Sequence, residues 1–307
     1  MTLTNYWWLL IWIFIGGVLA LFIPKQQELV NGRKVERWTM PTALILIAPY
    51  IVWAGFRSNA FGDTGSYQKA FRECASSFGE IGNYLSSVTK DKGFYLLMAL
   101  EKSIFGDSCR LFFVLLAAFQ LLIIVWMFRK YSEDYWFSIF LFIASTDYIS
   151  WTFNGIRQFT AVVIAYAATP FILKKKYIPS ILLILLASTM HQSVLLMIPI
   201  IFIIQGKAWN KKTVLCILAC LVALLFVDRF TNIMDSMLAE TQYQNVVSDY
   251  QSWNDDGTNP LRVLVYSIPM ILSLIGLKYV QAENDPMINT AVGASAIVCG
   301  LYVISMV

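Results

Sequence analysis

The stretch that decides the fold is KKKYIPSILLILLASTMHQSVLLMIPIIFIIQGK, residues 174–207. Lysines close it at both ends, and the 29 residues between 177 and 205 hold no charged side chain apart from His191. Short basic loops stay on the cytoplasmic side of a membrane. Both ends of this stretch therefore face the same side, and the chain must go out and come back. Two helices of about 14 residues are each about 21 Å long, too short to cross about 30 Å of hydrocarbon. The tip, at Thr189-Met190-His191-Gln192-Ser193, must stop inside protein or in a wet cavity.

The rest of the chain agrees. Apolar stretches recur at 6–23, 40–56, 111–128, 135–151, 156–173, 213–227, 261–277 and 287–307. With the hairpin counted as two helices, the expectation is an all-α polytopic membrane protein of about ten transmembrane helices, a single integral membrane domain over 1–307. The first stretch lacks the basic n-region of a signal peptide; Lys25, Arg33, Lys34 and Arg37 follow it instead, which places the N-terminus outside, and ten helices then put the C-terminus outside as well. Arg129-Lys130, Lys174-Lys175-Lys176, Lys207 and Lys278 then fall on the inner side. The net charge of +4 divides into about +7 inside and about −3 outside.

Composition excludes other classes. Of 307 residues, 58% are hydrophobic and 14% charged, against about 25% charged in soluble domains. A soluble enzyme, a disordered chain and a disulfide-stapled secreted module are excluded. No basic run or glycine-rich loop points to nucleic acid or nucleotide. One histidine and no Cys-x-x-Cys give no metal pattern, and no cofactor is expected. Cys74 and Cys109 share an external loop and could pair; Cys216, Cys220 and Cys299 read as packing residues.

The two sizeable segments outside the spans, 57–110 and 228–260, are both external, so chemistry should face outward. In the first, Phe94, Leu97, Met98, Glu101, Ile104 and Phe105 follow 3/4 spacing and predict an amphipathic helix from Gly93. Tyr67, Ala70 and Phe71 share a face of a helix begun near Asp63 or Ser66. In the second, Tyr243, Tyr250 and Trp253 are candidates for stacking on sugar faces or for an interfacial belt.

Charged groups at outer span ends are the first candidates for function. Arg57 closes the second span and leads into Gly62-Asp63-Thr64-Gly65, which also reads as turn and helix-cap chemistry. Asn154-Gly155-Ile156-Arg157-Gln158 opens a span. Arginine opposes the dipole at a helix N-terminus, and the two together make an anion site whose fork suits phosphate. Arg262 opens another span in the same way. His191, the only histidine, is of the residue type most often used as a general base, although a lone histidine is commonly a structural group.

These residues, in this order, resemble the Wzy/EpsG-type family of bacterial polysaccharide polymerases. The likeness rests on Arg57 through Gly62-Asp63-Thr64 to Tyr67 and Phe71, on Asn154 to Gln158 with the Lys174-Lys175-Lys176 stop, and on His191-Gln192-Ser193 with Pro199. The resemblance implies a glycosyltransferase that needs no nucleotide sugar and acts at the outer face of the bacterial plasma membrane. Its donor and acceptor would be undecaprenyl-pyrophosphate-linked oligosaccharides, with the lipid bilayer, a flippase and a chain-length regulator as partners. Under it, Arg157, His191 and Asp63 would be catalytic, His191 and Asp63 being rival bases. Arg57, Tyr67, Asn154, Gln158 and Arg262 would bind substrate. An O-antigen ligase-like transferase using the same residues, and a polysaccharide flippase or transporter, are the alternatives.

Overall fold

The computed structural model describes residues 3–304 apart from 24, 31–32, 146, 227–232, 234–235 and 237–259. Tyr243, Tyr250 and Trp253 lie outside the described residues. Among the described residues the regular elements are helices and one hairpin, β1 (Gln26–Val30) and β2 (Arg33–Arg37), paired antiparallel with Gln26 opposite Arg37. Sequence reading takes this segment as a basic loop. Arg129 Nη2 reaches Glu28 Oε1 at 2.9 Å and Arg37 Nε reaches Glu28 Oε2 at 3.3 Å, so the carboxylate pins the hairpin to the C-terminal end of a long helix, Cys109–Tyr131.

Within the single membrane domain expected from the sequence, the chain packs as two compact units, Met1–Phe171 with Lys176–Leu195, and Ile172–Lys175 with Leu196–Val307. The first contains α1 (Leu3–Leu19), α2 (Met40–Gly55), α3 (Thr64–Glu73), α4 (Ile81–Ser87), α5 (Lys92–Phe105), α6 (Cys109–Tyr131), α7 (Tyr135–Ala144), α8 (Asp147–Phe153), α9 (Ile156–Tyr166) and α11 (Tyr177–Met190). The short α10 (Thr169–Leu173) follows α9. The second unit holds α12 (Met197–Ile203), α13 (Lys211–Leu225), α14 (Pro260–Ile275), α15 (Leu277–Glu283) and α16 (Pro286–Ile304).

Among the described residues three helices are long and apolar enough to cross a membrane: Cys109–Tyr131, Ile156–Leu173 and Pro286–Ile304. The pair α14 and α15, bent by 71°, makes a fourth if it is one span. The expected ten therefore exceed the helices that meet that length on their own. Several apolar stretches are divided: 135–151 into α7 and α8, and 177–205 at His191, where the backbone turns extended (φ −162°, ψ 123°). After His191 a 3₁₀ turn, Gln192–Leu196, replaces the first turns of the second helix.

Two apolar clusters form the core of the first unit. One, around Ile13, Ile47, Tyr50, Leu121, Ile139 and Phe153, binds α1, α2, α6, α7 and α8. Gly55 lets α2 approach α6 closely, since a Cβ there would lie 2.1 Å from the Val114 side chain. The other joins Tyr67, Phe71, Phe94 and Met98 of segment 57–110 to Phe112. It is built by the two amphipathic faces read from the sequence: α3 buries Tyr67 and Phe71, and α5 buries Phe94 and Met98. Cys74 and Cys109 are free thiols, and Cys74 Sγ donates to the Phe71 carbonyl at 3.1 Å. In the second unit α13, α14 and α16 pack together, with Gly300 against Cys220 and the Ser267 hydroxyl 3.0 Å from Cys299 Sγ.

Candidate functional site

Three helix ends of the first unit meet at one point. The start of α5 approaches the end of α11 so closely that a Cβ on Gly93 would lie 2.1 Å from Thr189 Oγ1, which leaves room for glycine alone. That approach sets Asp91, the residue before α5, beside His191, the residue after α11. α9 packs along α11 and contributes Arg157 from its first turn. Gln120 on α6 holds that turn, donating to the Ile156 carbonyl at 3.2 Å and to Thr160 Oγ1 at 2.8 Å.

Asp91 bridges the other two groups. Arg157 Nη1 donates to Asp91 Oδ2 at 2.8 Å, and His191 Nδ1 stands 3.4 Å from the same oxygen. The Asp91 side chain is 1% exposed, that of His191 17% and that of Arg157 32%. Asp91 occupies the N-cap position of α5 yet makes no side-chain cap bond, and its backbone is left-handed (φ 52°, ψ 40°). A capping aspartate ordinarily accepts from the first-turn amides. Here the left-handed backbone, costly for a residue with a Cβ, turns the carboxylate to Arg157 and His191. Asp91 Oδ1 is buried and has no hydrogen-bond partner among the described residues. An unsatisfied buried acceptor costs about 1–3 kcal/mol, so the site is built to receive a donor there.

Around this cluster Arg157 Cζ lies 5.9 Å from the Tyr67 ring centroid. Burial raises the Tyr67 phenol above its ordinary value, and the nearby Arg157 opposes that rise. Tyr67, Phe94, Tyr95 and Tyr84 continue as a chain of edge-on rings, with centroids 6.2, 6.0 and 6.5 Å apart in turn.

The remaining candidates have different surroundings. Arg57 is buried, donates through Nη1 to the carbonyls of Thr152 at 2.8 Å and Phe153 at 3.2 Å, and lies 4.0 Å above the Phe113 ring centroid. It thereby closes the C-terminal end of α8, whose last carbonyls lack helical partners. Burial lowers its guanidinium to about 10, leaving it charged at neutral pH. Asn154 Oδ1 accepts from the Asp63 amide at 2.7 Å, and Gly62 (φ +48°) leaves space for it, since a Cβ would lie 2.2 Å from that oxygen. The pair fixes the turn before α3 to the junction of α8 and α9. The Asp63 side chain is exposed at the start of α3 and makes no cap bond. Gln158 is half-buried beside Arg157. Arg262 belongs to the second unit, with Cζ 5.9 Å from the Tyr266 ring centroid.

Asp91 is the residue that sequence reading passes over. In Thr89-Lys90-Asp91-Lys92-Gly93 it has the form of an ordinary solvated helix cap. The only local sign is the neighbouring glycine, which marks a close helix approach.

An arginine, a histidine and a buried carboxylate that meet where helix ends converge are groups able to hold an anion and to exchange a proton. A sequence profile of the EpsG family matches residues 42–307, and the chain belongs to that family. Membership bears out the resemblance read from the sequence and makes this a polymerase-type protein of polysaccharide biosynthesis. No curated protein and no solved structure matches the chain.

Proposed function

We propose that this protein joins glycan units carried on undecaprenyl pyrophosphate, at the outer face of the bacterial plasma membrane, in a chain that crosses the bilayer ten times. The observation that carries the reading is the single carboxylate of Asp91 holding both Arg157 and His191. Breaking the anomeric C–O bond to pyrophosphate builds negative charge on the leaving group, and fixed donors out of bulk water stabilise it. Asp91 engages one terminal nitrogen of Arg157, and a guanidinium has five N–H donors, so others remain for phosphate oxygens.

His191 is the base. A carboxylate at Nδ1 favours the tautomer protonated there, and in that tautomer Nε2 is the basic nitrogen that takes the proton of the acceptor hydroxyl. The new glycosidic bond forms to that oxygen, and polyprenyl pyrophosphate departs with the electron pair of the broken bond. The donor is already activated, so no nucleotide sugar enters. Tyr67 and Gln158 flank the reacting groups as sugar contacts. Arg57 and Asn154 hold the backbone that presents Arg157, and the exposed Asp63 is the weaker candidate for base. A flippase would deliver the units and a chain-length regulator would limit the product.

The test is deletion in the native host, with surface glycan resolved by size. The expected result is collapse of a ladder to one repeat unit, restored by wild type and not by Arg157→Ala. An unchanged ladder refutes the reading for that glycan. Loss of all surface glycan with no single-unit band favours a ligase or flippase.

A further inference from the structure

A cavity of about 640 Å³ lies between α5, α6, α9 and α11, walled by side chains such as Leu97, Phe119, Ile164 and Leu186. Two of its wall residues lie next to the charged cluster along the chain. Met190, in its wall, is the residue before His191, and Thr160, also in its wall, lies three residues after Arg157 on the same helical face. From Thr160 to Ala167 the α9 wall descends about 10 Å at 1.5 Å per residue. The groove is open along its side, where Ile104, Phe119 and Leu186 are 60%, 41% and 51% exposed.

One group in this apolar wall is out of place. Glu101 is 8% exposed, and its Oε1 is buried with no hydrogen-bond partner among the described residues. No other wall residue from α5, α6, α9 or α11 is titratable. The Thr160 hydroxyl is committed to the Ile156 carbonyl. The adjacent Lys102 turns away, donating to the carbonyls of Phe71 and Cys74 and pairing with Asp107 at 3.5 Å. A carboxyl buried among hydrocarbon without a cation is held neutral, and burial raises Glu101 to about 8.

We propose that this groove seats the isoprenoid chain of the lipid-linked substrate, and that the chain enters only while Glu101 is protonated. The inference rests on the lipid-pyrophosphate reading of the adjoining site. A head group held at Arg157 puts the first isoprene units at Met190 and Thr160, and the open side admits a chain already dissolved in the bilayer. Ionised Glu101 would face hydrocarbon with no counter-charge, so occupancy and proton binding favour each other reciprocally. Above the Glu101 pKa, occupancy falls.

The test uses the full-length protein in phosphatidylglycerol nanodiscs and a benzophenone-tagged polyprenyl pyrophosphate, with cross-linked peptides identified by mass spectrometry. Label is expected on the peptides of α5 and α11, displaced by unlabelled undecaprenyl pyrophosphate. Leu186→Trp, a change at a half-exposed position, should weaken labelling about tenfold, the lower end of the range for altering the fit of an apolar pocket. Between about pH 7 and about pH 9 wild-type labelling should fall several-fold, because one pH unit above the pKa leaves roughly a tenth of the carboxyl protonated. Glu101→Gln should label equally at both.

Label confined to other helices, or unaffected by Leu186→Trp, overturns the groove. Equal labelling by a phosphatidylglycerol with a benzophenone acyl tail identifies ordinary bilayer lipid as the occupant and also overturns it. A flat wild-type pH response overturns the role of Glu101. An unaltered glycan ladder in the deletion strain would instead defeat the polymerase reading, whatever the labelling shows.

Discussion

Arg57 and Arg157 both stand at the end of an apolar helix, and both enter as candidates for holding a pyrophosphate. Their surroundings separate them. Arg57 is buried, spends Nη1 on two backbone carbonyls and lies over a phenyl ring. Arg157 is one-third exposed and paired with a buried carboxylate that also meets the histidine. A guanidinium facing carbonyl oxygens closes a helix end and stabilises the fold. A guanidinium steered by a carboxylate, with donors left over, is poised for a second anion.

The sharpest way to break this comparison is to remove Arg157. Arg157→Ala should abolish polymer while single repeat units persist, a loss of at least about 10²–10³-fold, as for deleting a charge-stabilising donor at a reacting centre. Normal long chains from a well-expressed variant would end the leaving-group assignment. His191→Ala should cost about 100-fold in chain formation, within the 10²–10⁴ range of general acid–base catalysis. A loss under tenfold would make His191 a structural group.

Asp91→Asn keeps the shape and removes the charge, and should lower polymerisation about 10- to 100-fold, as for partners that orient a primary group. Combined with His191→Ala it should add little more, because both changes disable one unit. Full additivity in chain-length assays would mean that Asp91 acts apart from His191. For Arg57→Ala the effect should move from chemistry to stability. Unfolding in detergent should be easier by about 3 kcal/mol, since two carbonyls lose a buried charged partner. Activity per folded molecule should stay within about threefold, and a larger drop would return Arg57 to the site. Asp63→Asn should change least, within about twofold, because its side chain is exposed and caps nothing.

The sequence by itself determined everything written in local pattern. Apolar runs and sparse charge give a helical membrane chain. The 3/4 spacing from Phe94 places α5 within one residue of its start. Lysines on both flanks force a break between 177 and 205, and the helix does stop at Met190, next to His191. Arg157 is legible because a cation at a helix N-terminus contradicts the dipole beside it.

The tertiary structure alone decided which of these residues meet. Asp91 lies 66 residues from Arg157 and 100 from His191, so nothing in its own neighbourhood announces either partner. Arg57 looks like an anion ligand until α8 supplies its carbonyls from 95 residues away. The β-hairpin reads as a basic loop until Glu28 finds Arg129. Local periodicity and helix ends follow from backbone geometry a few residues long. The pairing of buried charges is set by which helices pack together, and that depends on the surfaces of the whole chain.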